Sequence, residues 1–160
     1  MTTESLGRGN RRPLSGAYKH LPKLALGGGV AFWATNFATS LLPIAADYRA
    51  ALSISYVPMV LVESLLGGLV IGLFVSFFLL RLYNRLPTES PMLKAVILSI
   101  VAMVLATMMT WGAASLVEPN DALRYFLIGV VLNVPRFLML GFAVGYLYKR
   151  LYGPAPCDRT

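Results

Sequence analysis

Residues 56–83 read YVPMVLVESLLGGLVIGLFVSFFLLRLY, an apolar run with a single carboxylate, Glu63, and one arginine, Arg81, near its end. The run exceeds the roughly 20 residues that an α-helix needs to cross about 30 Å of hydrocarbon. Because a bilayer offers no water to the backbone, such a segment must be helical. The stretch therefore predicts a membrane-spanning helix around which the rest of the chain is organised.

The composition of the whole chain favours a membrane protein in the same way. Of its 160 residues, 57% are hydrophobic and 13% are charged, and the mean hydropathy is +0.67. A soluble domain cannot bury that much apolar surface. The net charge of +7 does not indicate a nucleic-acid partner, because the basic residues flank the apolar runs and do not form one basic face.

Four apolar segments follow one another, near residues 22–44, 55–80, 93–117 and 123–148. They predict an all-α integral membrane protein, a bundle of four transmembrane helices within residues 22–153. Pro58 is expected to break the second helix and Pro135 to disrupt the fourth. Residues 1–21 are basic and rich in helix breakers, which predicts a disordered tail that contacts anionic lipid headgroups. Residues 154–160 are predicted to form a second short tail.

The basic residues also predict the orientation of the bundle. An N-terminus on the cytoplasmic side leaves only Arg49 and Arg124 outside, whereas the other basic residues that flank the spans lie inside: Arg8, Arg11, Arg12, Lys19, Lys23, Arg81, Arg85, Lys94, Lys149, Arg150 and Arg159. Cytoplasmic loops carry the excess of lysine and arginine in membrane proteins. Both termini are therefore predicted to be cytoplasmic, in a multi-pass protein of the inner cell membrane.

A shift of 69 residues superposes the second apolar segment on the fourth. It places Gly72 on Gly141, and the triplet Arg81-Leu82-Tyr83 on Arg150-Leu151-Tyr152. Two explanations remain open: a tandem duplication of a two-helix hairpin, or chance similarity between two apolar helices. The shift breaks down at the charges, since Glu63 falls on Leu132 and Arg136 on Gly67.

Glu63 and Arg136 are the charges predicted to lie deepest in the membrane. Counting residues from the outer ends of their segments puts them, with Asn133, within roughly 5 Å of one another in depth. An isolated charge at mid-bilayer costs at least ~2.5–3.5 kcal/mol, so each is the other's best candidate partner. Asn133 and Arg136, three residues apart, share a helix face. The pair is interpreted either as a structural pin between two helices or as a functional carboxylate with its counter-ion.

Other polar residues are predicted to lie in the same outer half of the bundle, and small residues line the inner half. Asn36 and Thr39 of the first segment complete the candidate polar site. Four glycines are expected to bring helices close together: Gly68, Gly72, Gly141 and Gly145. The pattern predicts a bundle that is tightly packed on the cytoplasmic side and more polar toward the outside.

The sequence gives no indication of an enzyme. It holds one cysteine and one histidine, which leaves no thiolate metal site, no bis-histidine haem site and no expected cofactor or metal. No set of residues typical of a catalytic site lies at one depth. The leading hypothesis is a carrier or a ligand-binding membrane protein whose site lies around Glu63 and Arg136. The alternative is a structural or accessory subunit in which that pair only locks the bundle. Because four helices enclose little space, a homo-oligomer is expected.

Overall fold

The computed structural model describes residues 18–51, 57–83, 85, 86, 88, 90–117 and 122–152. After a 3-10 turn at Tyr18–His20 come five α-helices: α1 Leu21–Ser40, α2 Pro43–Ala51, α3 Val57–Leu82, α4 Pro91–Val117 and α5 Ala122–Tyr152. The described residues contain no strand. The prediction of an all-helical protein is confirmed, whereas the predicted tails lie outside the described residues, apart from 18–21.

Three of the described helices are long and apolar enough to cross a membrane. They are Pro58–Leu82, Pro91–Met109 and Phe126–Tyr152, with mean hydropathies of 2.3, 2.3 and 2.0. Helix α1 is not among them, since Lys23, its glycines and the polar residues near Asn36 lower its hydropathy. The structure thus shows a helical protein with three candidate spans.

The first predicted segment, residues 22–44, is divided in the structure. Helix α1 ends at Ser40, and a separate helix, α2, begins at Pro43. Proline has no backbone N–H to donate and its ring clashes with the carbonyl four residues earlier, here that of Thr39. The Thr39 carbonyl instead accepts a bond from Leu42 N at 3.2 Å. Part of the predicted connection at 45–54 is therefore helical.

The two other prolines leave their helices uninterrupted, contrary to the prediction. Helix α3 begins at Val57, so Pro58 lies in the first turn, where a missing N–H costs nothing. Helix α5 continues through Pro135 to Tyr152. A proline there removes the hydrogen bond to the Val131 carbonyl and its ring crowds that carbonyl, yet the helix continues for 17 residues beyond it.

Helix α1 lies between α3 and α5, and α5 also packs closely on α4. The contacts of α3 with α4 and with α5 are much smaller. The core lies where α1 begins, α3 ends, α4 begins and α5 ends. Its buried members share a low exposure of 7% or less: Phe32, Val75, Leu79, Ala95, Phe137, Leu140 and Val144. Phe32 and Phe137 meet edge to face, with ring centroids 5.3 Å apart, an arrangement worth about 0.5–1.5 kcal/mol beyond area burial.

Glycines set the distance between the helices in this core. A Cβ on Gly72 would lie 2.7 Å from the Ala25 carbonyl oxygen of α1, and one on Gly141 would lie 2.9 Å from Val96 Cα of α4. Gly72 and Gly141 are the residues that the 69-residue shift superposes, and each contacts the other helix of its own hairpin. This correspondence fits a duplication, which stays a prediction.

Aromatic and basic side chains close this end of the bundle, which we call the Lys94 end. Lys94 is only 6% exposed; its Nζ donates to the Tyr83 carbonyl at 2.6 Å and lies 3.9 Å from the centre of the Tyr83 ring. Tyr83 stacks on Tyr148 at 4.9 Å, and His20 meets Tyr152 at 5.5 Å. These contacts join the ends of the four long helices. The opposite end, where α1 ends and α3 begins, contains the cavity of the candidate site, and we call it the cavity end.

Candidate functional site

Arg136 is the central charged residue of the cavity end. It is half-buried on α5, and its Nη1 donates to Asn133 Oδ1 at 3.1 Å, one helical turn earlier. Its Nε donates to Thr39 Oγ1 of α1 at 3.3 Å, and the Thr39 hydroxyl donates in turn to the Asn36 carbonyl at 3.1 Å. The guanidinium thus connects α5 to α1 and brings together four of the five residues proposed from the sequence.

These residues line a cavity of about 140 Å³ between α1, α2, α3 and α5. Its described lining residues come from four helices: Asn36, Ser40, Ala45, Arg49, Val60, Gly129, Leu132, Asn133 and Arg136. The walls are apolar, and the polar groups are two guanidiniums, two carboxamides and a hydroxyl. A concave, mostly apolar site with a few convergent polar groups is the usual form of a small-ligand site.

Arg49 and Ser40 line this cavity although the sequence had placed Arg49 in an outer connection. Arg49 lies near the end of α2, and its Nη1 donates to the Ser40 carbonyl at 3.2 Å, which caps the C-terminal end of α1. Ala45, 3% exposed, packs α2 against the bundle. The signal that could have located Arg49 is Pro43, because a proline at the first position favours the start of a new helix.

Asn36 is the most deeply buried polar residue of the cavity. Its side chain is 4% exposed, and among the described residues its Nδ2 has no hydrogen-bond partner. A buried donor left without an acceptor costs about 1–3 kcal/mol. An acceptor brought into the cavity by a ligand or by water would remove that cost.

Glu63 does not belong to this group. It lies on the exposed face of α3 and does not line the cavity, and the structure shows no ion pair between Glu63 and Arg136, both of which it describes. The reason is the face that α3 buries. Its small residues at spacing four pack on α1: Gly68 lies against Phe32, Gly72 against Ala25, and Ser76 is fully buried. Glu63 is rotated by about 140° or more from Gly68, Gly72 and Ser76, so its predicted depth did not bring it to its expected partner.

The chemistry available in the cavity is binding by hydrogen-bond donors. None of the described lining residues is acidic, and none is a histidine or a cysteine. Across the described part of the chain, no three His, Cys, Asp or Glu side chains come together around a metal position. The arrangement offers guanidinium and amide groups to a ligand, and the described lining holds no carboxylate or histidine that could act as a base toward the Ser40 hydroxyl.

Comparison of the chain with protein-family models, with curated proteins and with solved structures gives no match. The function is therefore argued from the cavity and from the bundle that surrounds it.

Proposed function

We propose that this protein is a four-span membrane protein that binds a small polar ligand in the cavity around Arg136, Asn133, Asn36 and Thr39, as a carrier or a ligand-binding protein. The observation that carries the proposal is the meeting of two half-buried arginines with the buried Asn36 Nδ2, which has no partner among the described residues, in one cavity. Polar groups placed this deep in an apolar bundle are costly unless they bind something.

The proposal treats α1 as the fourth span. With 20 residues, α1 is about 30 Å long, which matches the hydrocarbon core. It packs between α3 and α5, both of which are candidate spans, and this packing supports α1 as a further span. Its buried positions include Asn36, whereas Leu26, Val30 and Phe37 on its exposed face are apolar. A central helix can thus be the least hydrophobic one and still cross a membrane.

The proposed orientation has both termini and the Lys94 end in the cytoplasm. The charge asymmetry supports it, and the native Cys157 offers a direct test. A membrane-impermeant maleimide should label Cys157 in whole cells only after permeabilisation. In a Cys157→Ser background, Ala46→Cys on the exposed face of α2 should react without permeabilisation. The reverse labelling pattern would show that the bundle has the opposite orientation, with both termini outside.

A second candidate function, a structural or accessory subunit, is supported by the bonds of Arg136. Its guanidinium joins α5 to Thr39 of α1, as a pin between helices would. A homo-oligomer, expected from the small enclosed space, stays a prediction for either function.

Native mass spectrometry of the purified protein separates the two functions. Val60→Phe fills the cavity from α3 without changing a charge or a described hydrogen bond, and Leu66→Phe is its control on the exposed face of the same helix. A ligand-binding protein should retain a small molecule or lipid in the wild type and in Leu66→Phe, and lose it in Val60→Phe. If no variant differs in bound mass, and the melting temperature does not respond to carboxylates, phosphate, sugars or amines, only the structural function remains.

A further inference from the structure

We infer that the exposed side of α3 around Glu63 binds a transmembrane helix of another protein, one that carries a lysine or an arginine at the depth of Glu63. We call this surface the Glu63 face and define it by Glu63, Leu66, Gly67, Val70 and Phe74. None of these residues lines the cavity. The inference therefore goes beyond the proposed function and does not depend on a ligand in the cavity.

Glu63 lies inside the part of α3 that can cross a membrane. The candidate span runs from Pro58 to Leu82, so Glu63 is about seven residues, or about 10 Å, from its middle. The hydrocarbon core extends about 15 Å to either side of its own middle. Trp33 Nε1 donates to the Leu61 carbonyl at 3.1 Å, which places this turn of α3 beside the middle of α1 and not beyond its end.

The described part of the chain supplies no partner for the Glu63 carboxylate. Glu63 forms no hydrogen bond or ion pair with a described residue, and its side chain is exposed. Ionisable side chains within membrane spans are rare, and almost all of them face a bundle interior or a water-filled cavity, or pair with one another. A helix that covers Glu63 with a basic side chain gives it both a partner and an interior position.

The shape of the Glu63 face also suits an approaching helix. Gly67 lies one turn from Glu63 on the same side of α3, and a Cβ on Gly67 would meet nothing within 4 Å, whereas the Cβ positions of Gly68 and Gly72 are occupied by α1. Exposed apolar side chains surround this notch, among them Leu66, Val70 and Phe74. Small residues at an interface let two membrane helices approach closely, so a helix packed on Gly67 can bring its side chain to the carboxylate.

A second copy of the chain suits Glu63 less well than a basic helix does. Two copies that meet symmetrically through this surface bring two Glu63 carboxylates together, which repel each other. Of the described cations at the cavity end, Arg49 and Arg136 line the cavity. The exposed Arg124 lies before the candidate span that begins at Phe126, whereas Glu63 lies inside its own span. The other described cations lie at the Lys94 end.

The test measures the association of the purified full-length protein with synthetic transmembrane helices in phosphatidylcholine vesicles. The protein carries a donor dye on Cys157, its single cysteine. Each synthetic helix has about 23 leucine and alanine residues, with one lysine about 10 Å from its middle and an acceptor dye at the end farther from the lysine. Two control helices carry leucine or glutamate in place of the lysine. By energy transfer, the wild type should bind the lysine helix at least about tenfold more tightly than either control.

Two substitutions on the Glu63 face separate charge from shape. Glu63→Gln keeps the size of the side chain and removes its charge, so the lysine helix should bind no more tightly than the leucine helix. Gly67→Leu fills the notch and should weaken binding of the lysine helix although Glu63 is still present. Val101→Phe is the control on the exposed face of α4 and should bind like the wild type. Glu63 and Gly67 have no described partner to lose, so both variants should melt close to the wild type.

Three results would overturn the inference. The first is equal binding of the lysine and leucine helices to the wild type, or binding of the lysine helix that Glu63→Gln leaves unchanged. The second is self-association of the protein that Glu63→Gln or Gly67→Leu abolishes, since a second copy then covers the Glu63 face. The third is loss of lysine-helix binding when phosphatidylethanolamine is added, which identifies a lipid amine as the occupant.

The cavity variant Val60→Phe keeps this test distinct from that of the proposed function. Val60 lines the cavity and Glu63 does not, so Val60→Phe should bind the lysine helix like the wild type. A loss of helix binding in Val60→Phe equal to that in Glu63→Gln would contradict a separate surface. Loss of bound mass in Val60→Phe together with normal helix binding would support both proposals independently.

Discussion

A close backbone approach between two helices gives the sharpest test of the fold, through the substitution Gly72→Ala. The new Cβ would lie 2.7 Å from the Ala25 carbonyl oxygen and 3.1 Å from Gly29 N, both backbone atoms of α1. Ordinary contact begins at 3.4 Å, so α1 and α3 must separate by about 0.7 Å. A gap of that size forfeits a quarter to a half of the dispersion energy of the contacts that it opens.

The expected cost of Gly72→Ala is about 1–3 kcal/mol in the free energy of unfolding, the usual range for overpacking a core. Gly67→Ala is the control on the same helix, since a Cβ there meets nothing within 4 Å. Alanine is favoured over glycine inside a helix by roughly 0.5–1 kcal/mol, so Gly67→Ala should leave stability unchanged or raise it.

The measurement is the melting temperature of each purified variant in the same detergent, followed by circular dichroism. At roughly 2–4 °C per kcal/mol for a chain of this size, Gly72→Ala should melt several degrees below the wild type, and Gly67→Ala at or above it. Equal melting temperatures for the two variants would refute the close packing of α1 on α3.

Three further predictions concern other places in the bundle and use the same melting-temperature assay. Gly141→Ala should cost as much as Gly72→Ala, and the double variant should show additive losses because the two glycines lie at different interfaces; strong non-additivity would contradict two separate hairpin interfaces. Lys94→Met should lose about 1.5–3 kcal/mol, because it removes a charged hydrogen bond to the Tyr83 carbonyl and a cation–π contact; a loss below 0.5 kcal/mol, roughly the scale of an exposed lysine, would show that this bond is not formed. Glu63→Gln should keep or raise the melting temperature, since Glu63 is exposed and not paired with Arg136. A fall of several degrees would instead support the hypothesis that Glu63 pins two helices together.

The helices of the bundle could be predicted from the sequence because the chemistry leaves few alternatives. A long apolar segment such as Val57–Leu82 must satisfy its backbone hydrogen bonds internally, so its length and composition define the helix to within a few residues. Helix α2 could not be predicted in this way, since nine residues of mixed polarity fit an interfacial helix and a polar connection equally well. Only Pro43 pointed to it.

The sequence predicted at which level along the helices the site residues lie, but not on which face of its helix each side chain lies. Counting residues placed Asn133 and Arg136 at one level, Asn36 was predicted for the same outer half, and the structure brings the three to one cavity. The same counting included Glu63, although residue 63 lies off the face formed by Ser64, Gly68, Gly72 and Ser76. This row of small residues at spacing four already indicated which face of α3 packs on its neighbour, because the face with the smallest side chains permits the closest approach of another helix.

The burial of Lys94 was missed because a basic residue near a helix end is ordinarily a marker of the membrane surface. The 69-residue shift carried a contrary signal: it superposes Lys94 on Ala25, which is 7% exposed, and Lys94 itself is 6% exposed. If the duplication is real, Lys94 occupies an ancestral core position. The stack of Tyr83 on Tyr148 and the Tyr83 carbonyl then supply the acceptors that a buried ammonium requires.

The contrast between the two ends of the bundle follows from what separates the helices at each level. Toward the Lys94 end, Gly28, Gly29 and Gly72 allow backbone atoms of α1 and α3 to meet, so no space remains for a ligand. One turn further along α1, the rings of Phe32 and Phe137 stand between α1 and α5. Beyond these rings the next inward-facing residue of α1 is Asn36, which is buried at the cavity. Two helices held apart by aromatic rings cannot close again within one turn, because rigid helices change their separation only gradually along their length. The aromatic pair does not itself line the cavity, but by holding α1 and α5 apart it accounts for the space that Asn36 faces.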